Sequence, residues 1–241
     1  MFDWNSTDVI FLPIALLILI GITLVLYGTL RDKSKDIRKI PLYVITAIIL
    51  VLEVAKQIYY IVIGYSFWAL PLHFCSLFLY AFPLMLWAKG RLQYCGNSVA
   101  LISTSMLLIC FYLSPDSILG PSATANFFKE FLYFHTIVYH HLALLFLFVG
   151  LSLDLFDFDI SNLVYFWISF AFYSVIVVIF ANILHTNFIN LLENVIPILE
   201  KLRQEFGMAI YTVVMFLVGS GGGGLVFIIE RSIYMRINQS Y

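Results

Sequence analysis

The chain has 241 residues, of which 62% are hydrophobic and 11% charged, with a net charge of −1. A soluble domain is nearer half apolar and a quarter charged, so the composition excludes an ordinary soluble fold. No basic stripe marks a nucleic-acid partner, and Cys75, Cys95 and Cys110 are too few and scattered for a disulfide framework or a structural zinc site.

In chain order, the start "MFDWNSTD" is acidic and polar, without the positive flank of a cleaved signal. The apolar run Val9 to Leu30 therefore reads as a retained membrane helix. Seven spans are expected, at about 9–30, 41–63, 67–88, 98–113, 130–152, 162–184 and 208–229. The expected fold is an all-α polytopic membrane bundle, one integral membrane domain over 1–241. "RDKSKDIRK" after the first span holds five of the 13 Lys and Arg residues, which places it in the cytoplasm and the N-terminus outside. Strict alternation then gathers nine basic residues inside and three outside, an N-out, C-in topology.

The second span reads "ILVLEVAKQIYYIV". Glu53, Lys56, Gln57 and Tyr60 form one stripe of its helix. Such groups in lipid are costly and turn into the bundle, as a plain ion pair or as part of a site. The third span carries "LPLHFCS". On a regular helix His73 and Cys75 lie about 200° apart, so a nucleophilic Cys75 needs a base from another helix. An ordinary small buried residue is the alternative for Cys75.

"SPDSILGPSATANFF" follows the fourth span with turn chemistry at Pro115–Asp116 and Gly120–Pro121. The fifth span, "FLYFHTIVYHHLALL", has His135, His140 and His141. The last two point about 100° apart, so one of them can face Cys75, by a direct hydrogen bond or across one water, or each can be a core hydrogen-bonder. "LDLFDFDIS" reads as a short solvated turn. Asn182, His185 and Asn187 close the sixth span. "TNFINLLENVIPILEKLRQEFG" has helical apolar spacing and is expected on the outer membrane surface. "GSGGGG", Gly219 to Gly224, lacks a phosphate-loop context and reads as close helix packing or a flexible break.

Counted from the outer ends of their spans, Glu53, Cys75 and His140 fall at one depth in the outer half of the bilayer. That coincidence favours a site over scattered polarity. Membrane lipids are the expected partners, with no cofactor, no metal and no nucleic acid.

"LPLHFCS" at Leu70–Ser76, Glu53 one span earlier, "SPD" at Ser114–Asp116, "YHHLALL" at Tyr139–Leu145 and "TNFINLL" at Thr186–Leu192 occur in that order. In this the chain resembles the YwaF-type bacterial integral membrane proteins, which are similar to the eukaryotic transmembrane protein 164 family. The eukaryotic relatives look like acyl-handling enzymes of phospholipid metabolism, similar in layout to membrane lipid hydrolases that use threonine and histidine. The resemblance implies Cys75 as nucleophile and His140 or His141 as base, with Phe188 where the family usually has tyrosine. Around that pair, His73, Gln57, Asn182 or Asn187 could steady an oxyanion, with Glu53 and Lys56 beside them. The resulting function is lipid acyl transfer or hydrolysis through a thioester on Cys75. The other classes are a proton- or ion-coupled transporter built on Glu53, Lys56 and the histidines, and a non-enzymatic lipid-binding protein.

Overall fold

A computed structural model of the chain describes residues 4–120, 122–193 and 197–239. Among them all regular structure is helical: α1 (Asp8–Leu30), α2 (Lys35–Arg38), α3 (Ile40–Ile63), α4 (Leu77–Trp87), α5 (Arg91–Leu113), α6 (Pro115–Leu119), α7 (Phe131–Ser152), α8 (Asn162–Leu184) and α9 (Pro197–Gln239). Local chemistry sets many of the ends. Pro41 and Pro115 sit in first turns, where no intrahelical N–H is needed. His185, at φ 49°, closes α8 in the left-handed region.

Among the described residues five helices, α1, α5, α7, α8 and α9, are long and apolar enough to cross a membrane. α3 has 24 residues and carries Glu53 and Lys56, whereas α4 has only 11. The expected third span is thus not one regular helix. Its first half is extended chain with 3₁₀ turns at Phe67–Ala69 and Phe74–Ser76, and α-helix begins only at Leu77. Pro71 removes a donor and biases Leu70 away from helical backbone; Leu70 has φ −57° and ψ 142°.

α5 and α7 are the centre of the bundle. In each, 67% of the apolar window is buried, against 17% in α1 and 22% in α9, whose outer faces are left for lipid. α4 lies along α5 so closely that a Cβ on Gly96 would come within 2.2 Å of the Met85 nitrogen. Contact of this kind replaces the hydrophobic drive that lipid does not supply. The rings of Phe82 and Phe146 stack at 3.7 Å between α4 and α7. At the glycine run, Cβ atoms on Gly219 and Gly223 would meet the Phe170 and Phe166 rings at 2.9 and 2.7 Å. The run is a small-residue seam between α8 and α9, not a break.

The break in α9 lies earlier, at Gly207 (φ 78°, ψ 169°). It separates an amphipathic segment, 197–206, from the membrane helix that continues to Gln239. Residues 194–196 of the expected surface helix, like Pro121, lie outside the described residues. The turn at 153–161 is less solvated than its three aspartates suggest. Leu153, Leu155, Phe156 and Phe158 are buried, and the Asn97 side chain clamps the Asp157 backbone from both sides, each bond 3.0 Å. Alternation of Asp with apolar residues lets one side of the turn plug the bundle.

Candidate functional site

The irregular stretch between α3 and α4 carries the sequence-identified pair His73 and Cys75. Backbone without helical hydrogen bonds is tolerated at membrane depth only where protein satisfies it. Here side chains do so one carbonyl at a time. Gln57 Nε2 donates to the Ala69 carbonyl (2.8 Å) and Tyr80 Oη to that of Pro71 (3.2 Å). Tyr173 Oη donates to the carbonyl of His73 (2.7 Å), and Tyr139 Oη to that of Cys75 (3.1 Å). Helices α3, α4, α7 and α8 therefore all hold this one segment.

His73 packs on Trp68 at 4.5 Å and on Phe188 at 5.4 Å. Its Nε2 lies 2.9 Å from the Trp68 carbonyl, which can only accept, so Nε2 carries the proton and Nδ1 the lone pair. Cys75 is a half-buried free thiol in the last 3₁₀ turn before α4. It therefore sits at the amino-terminal end of that helix.

On α3 the expected stripe is formed. Lys56 Nζ pairs with Glu53 Oε2 at 2.8 Å, with only 15% and 11% of the two side chains exposed. Gln57 Nε2 donates to Glu53 Oε1 (2.7 Å) and its oxygen accepts from Tyr65 Oη (3.0 Å). Tyr60, the fourth member, stacks edge-on with Tyr59 at 6.1 Å. Gln57 thus links the ion pair to the irregular segment by bonding both Glu53 and the Ala69 carbonyl, and Tyr139 links that segment to α7.

The adjacent histidines of α7 part company. Both are buried, and each donates Nδ1–H at 2.7 Å to the carbonyl four residues back, Thr136 for His140 and Ile137 for His141. Each Nε2 is thereby left as the basic nitrogen. His140 lies edge-on to Tyr139 at 5.6 Å and tilted to Phe111 at 6.3 Å. His141 packs closer on Phe111, at 5.1 Å, and also meets Phe11 at 6.3 Å, and its Nε2 is buried without a hydrogen-bond partner among the described residues. Among the described residues no hydrogen bond joins the Cys75 sulfur to either ring.

Asn182 and Asn187 do not join the cluster. Asn182 is exposed and donates to the Val178 carbonyl of its own helix (2.7 Å). Asn187 closes its own loop, accepting from Leu192 N (2.8 Å) and donating to the Glu193 carbonyl (2.9 Å). The loop's contribution is Phe188, fully buried against His73. Sequence reasoning missed Tyr139, Tyr173 and Tyr80. The available signal was a phenol deep in an apolar span, which must find an acceptor. His135 stacks on Tyr139 at 5.6 Å and so belongs with them.

Chemically, the arrangement offers a thiol at a helix amino end, an imidazole with a basic Nε2, and an ion pair that is neutral overall. Among the described residues no three His, Cys, Asp or Glu side chains gather as a metal-binding set.

No curated protein and no solved structure matches the chain. A family model described as the TMEM164 family matches residues 1–221, nearly its whole length, and the chain belongs to that family of membrane proteins.

Proposed function

We propose that this chain is a membrane lipid acyltransferase or lipid hydrolase in which Cys75 is the nucleophile and His140 the base. The observation that carries the reading is the tie between α7 and the Cys75 backbone. Tyr139, which donates to the Cys75 carbonyl, is the immediate neighbour of His140 in α7. The amino end of α4 favours negative charge on the sulfur and on an oxyanion beside it.

In the first step His140 Nε2 takes the thiol proton and the sulfur attacks the ester carbonyl of a lipid. The C–O bond breaks, and the leaving alcohol recovers the proton from His140. A second alcohol, or water, then gives its proton to His140 and attacks the thioester, which returns the thiol. An alcohol acceptor makes the enzyme a transferase and water a hydrolase. His141, turned toward Phe11 and Phe111, has no part in these steps.

The topology we propose has seven membrane segments, with α3 and the α4 segment joining the five long apolar helices, N-out and C-in. The membrane is the bacterial plasma membrane, and the site opens to its outer leaflet.

The test is labelling of the purified protein with a thiol-reactive lipid probe, followed by mapping of the modified residue. Label on Cys75 that vanishes with Cys75→Ala supports the reading; equal labelling of the variant rejects it. A transporter built on Glu53 and Lys56 is the second reading, favoured by the burial of that pair. It would be selected by a Cys75→Ala protein that keeps full function.

A further inference from the structure

At the other end of the bundle, a cleft of about 190 Å³ lies between the start of α3, the end of α4, the start of α5 and the turn at 153–161. Lys39 at its edge precedes Glu53 by 14 residues, so about 21 Å of helix separate this cleft from the Cys75 cluster. Met85, Leu86 and Leu155 form its apolar wall, and Lys35, Lys39, Gln93, Tyr94, Asn97 and Asp157 its polar lining.

Three features make this lining more than a polar surface. Lys35 and Lys39 stand one helical turn apart, and neither ammonium has an ion-pair partner among the described residues. The floor is fixed, because Asn97 is bonded twice to the Asp157 backbone and the Asp157 carboxylate accepts from Asp159 N at 2.9 Å. The rim is aromatic as well. Tyr94 of the lining, 43% exposed, stacks on Tyr165 at 5.5 Å, and Trp87, which follows Leu86 of the wall in the chain, is 54% exposed and packs on Tyr43 at 5.3 Å. Half-exposed Trp and Tyr mark headgroup depth in a bilayer, and basic pockets between helices at that depth bind phosphate headgroups.

We propose that this cleft binds the phosphate of a membrane lipid headgroup, with the phosphate oxygens on Lys35 and Lys39 and a donor of the same headgroup, an ammonium or hydroxyl, on Asp157. The apolar wall of Met85, Leu86 and Leu155 borders the path of the lipid's chains. The site is independent of the chemistry assigned to Cys75.

The test measures the thermal midpoint of the purified protein in detergent against added short-chain phosphatidylethanolamine, short-chain phosphatidylglycerol and inorganic phosphate. The lipids should raise the wild-type midpoint at concentrations where inorganic phosphate does not. Equal protection by inorganic phosphate would assign the site to soluble phosphate and overturn the lipid assignment. In K35Q/K39Q the lipid affinity should fall about ten- to thirty-fold, at roughly one exposed cation's worth per lysine, with the ligand-free midpoint unchanged. An unchanged affinity in that variant overturns the site. Asp157→Asn should weaken the ethanolamine lipid; binding as tight as wild type would remove Asp157 from it. A K35R/K39R protein, which keeps both charges, should bind within a few-fold of wild type.

Discussion

The hydroxyl of Tyr139 donates to the main-chain carbonyl of Cys75 across 3.1 Å, so the helix that carries His140 also holds the backbone of the thiol. The position of Cys75 is set jointly by two elements 64 residues apart in the chain.

The first prediction concerns the two adjacent histidines. His140→Gln should abolish lipid acyl transfer or hydrolysis, because it removes the Nε2 that we propose as the base. His141→Gln, against Phe11 and Phe111, should keep activity within a few-fold. Turnover of a radiolabelled phospholipid by the two variants checks this, and loss of activity in His141→Gln alone would reverse the assignment.

The phenol network gives the second. Tyr173→Phe leaves the His73 carbonyl without its donor, at a cost of about 1–3 kcal/mol. The cost should appear locally, as faster alkylation of Cys75 by a membrane-permeant maleimide. An unchanged alkylation rate would mean that the segment is held without this bond.

Charge removal in α3 supplies the third. Glu53→Ala strands the Lys56 ammonium inside the bundle and should destabilise by about 3–5 kcal/mol, whereas the double change E53L/K56L should cost much less. Thermal unfolding in detergent measures both. A double variant as unstable as the single one would show that the pair holds the fold by more than mutual neutralisation.

Packing gives the fourth. Gly96→Ala places a Cβ against the backbone at Met85, and neither chain can yield by changing a rotamer. The expected cost is at least about 1–3 kcal/mol, visible as a lowered midpoint, whereas Gly21→Ala in α1, with open space around it, should leave the midpoint unchanged.

Topology gives the fifth. With nine basic residues on one proposed side and three on the other, a reporter fused after Tyr241 should read as cytoplasmic. An external reading would overturn both the seven-segment count and the placement of the site in the outer leaflet.

Much of the fold was legible in the sequence because hydropathy reports burial in lipid directly. The spans at 162–184 and 130–152 differ from α8 and α7 by at most one residue at either end. The break before α4 was not, since "LPLHFCSLFLY" is equally apolar as helix or as irregular chain, and only Pro71 hinted at it. The family was readable from short ordered motifs, and the match over residues 1–221 agrees. For the site, the stripe of Glu53, Lys56 and Gln57 followed from helical period alone. The fate of Asn187 did not, because a side chain that closes its own loop and one that faces a pocket have the same sequence. Tyr139 and Tyr173 escaped for another reason: their partners are carbonyls, which every residue possesses and no motif records.

α4 is 11 residues long, about 16 Å of helix against a hydrocarbon layer of about 30 Å. Such a segment has too little apolar length to partition stably by itself as it leaves the insertion machinery. Its turn into α5 is only three residues, 88–90, and Gly96 brings the two backbones into contact one and a half turns later. In the proposed topology the pair would enter the bilayer as a helical hairpin, and Cys75 would reach its depth only after α7 and α8 had arrived with the tyrosines that receive it. Maturation of the thiol's surroundings is in this way a late event of biogenesis, completed after more than two thirds of the chain has been made.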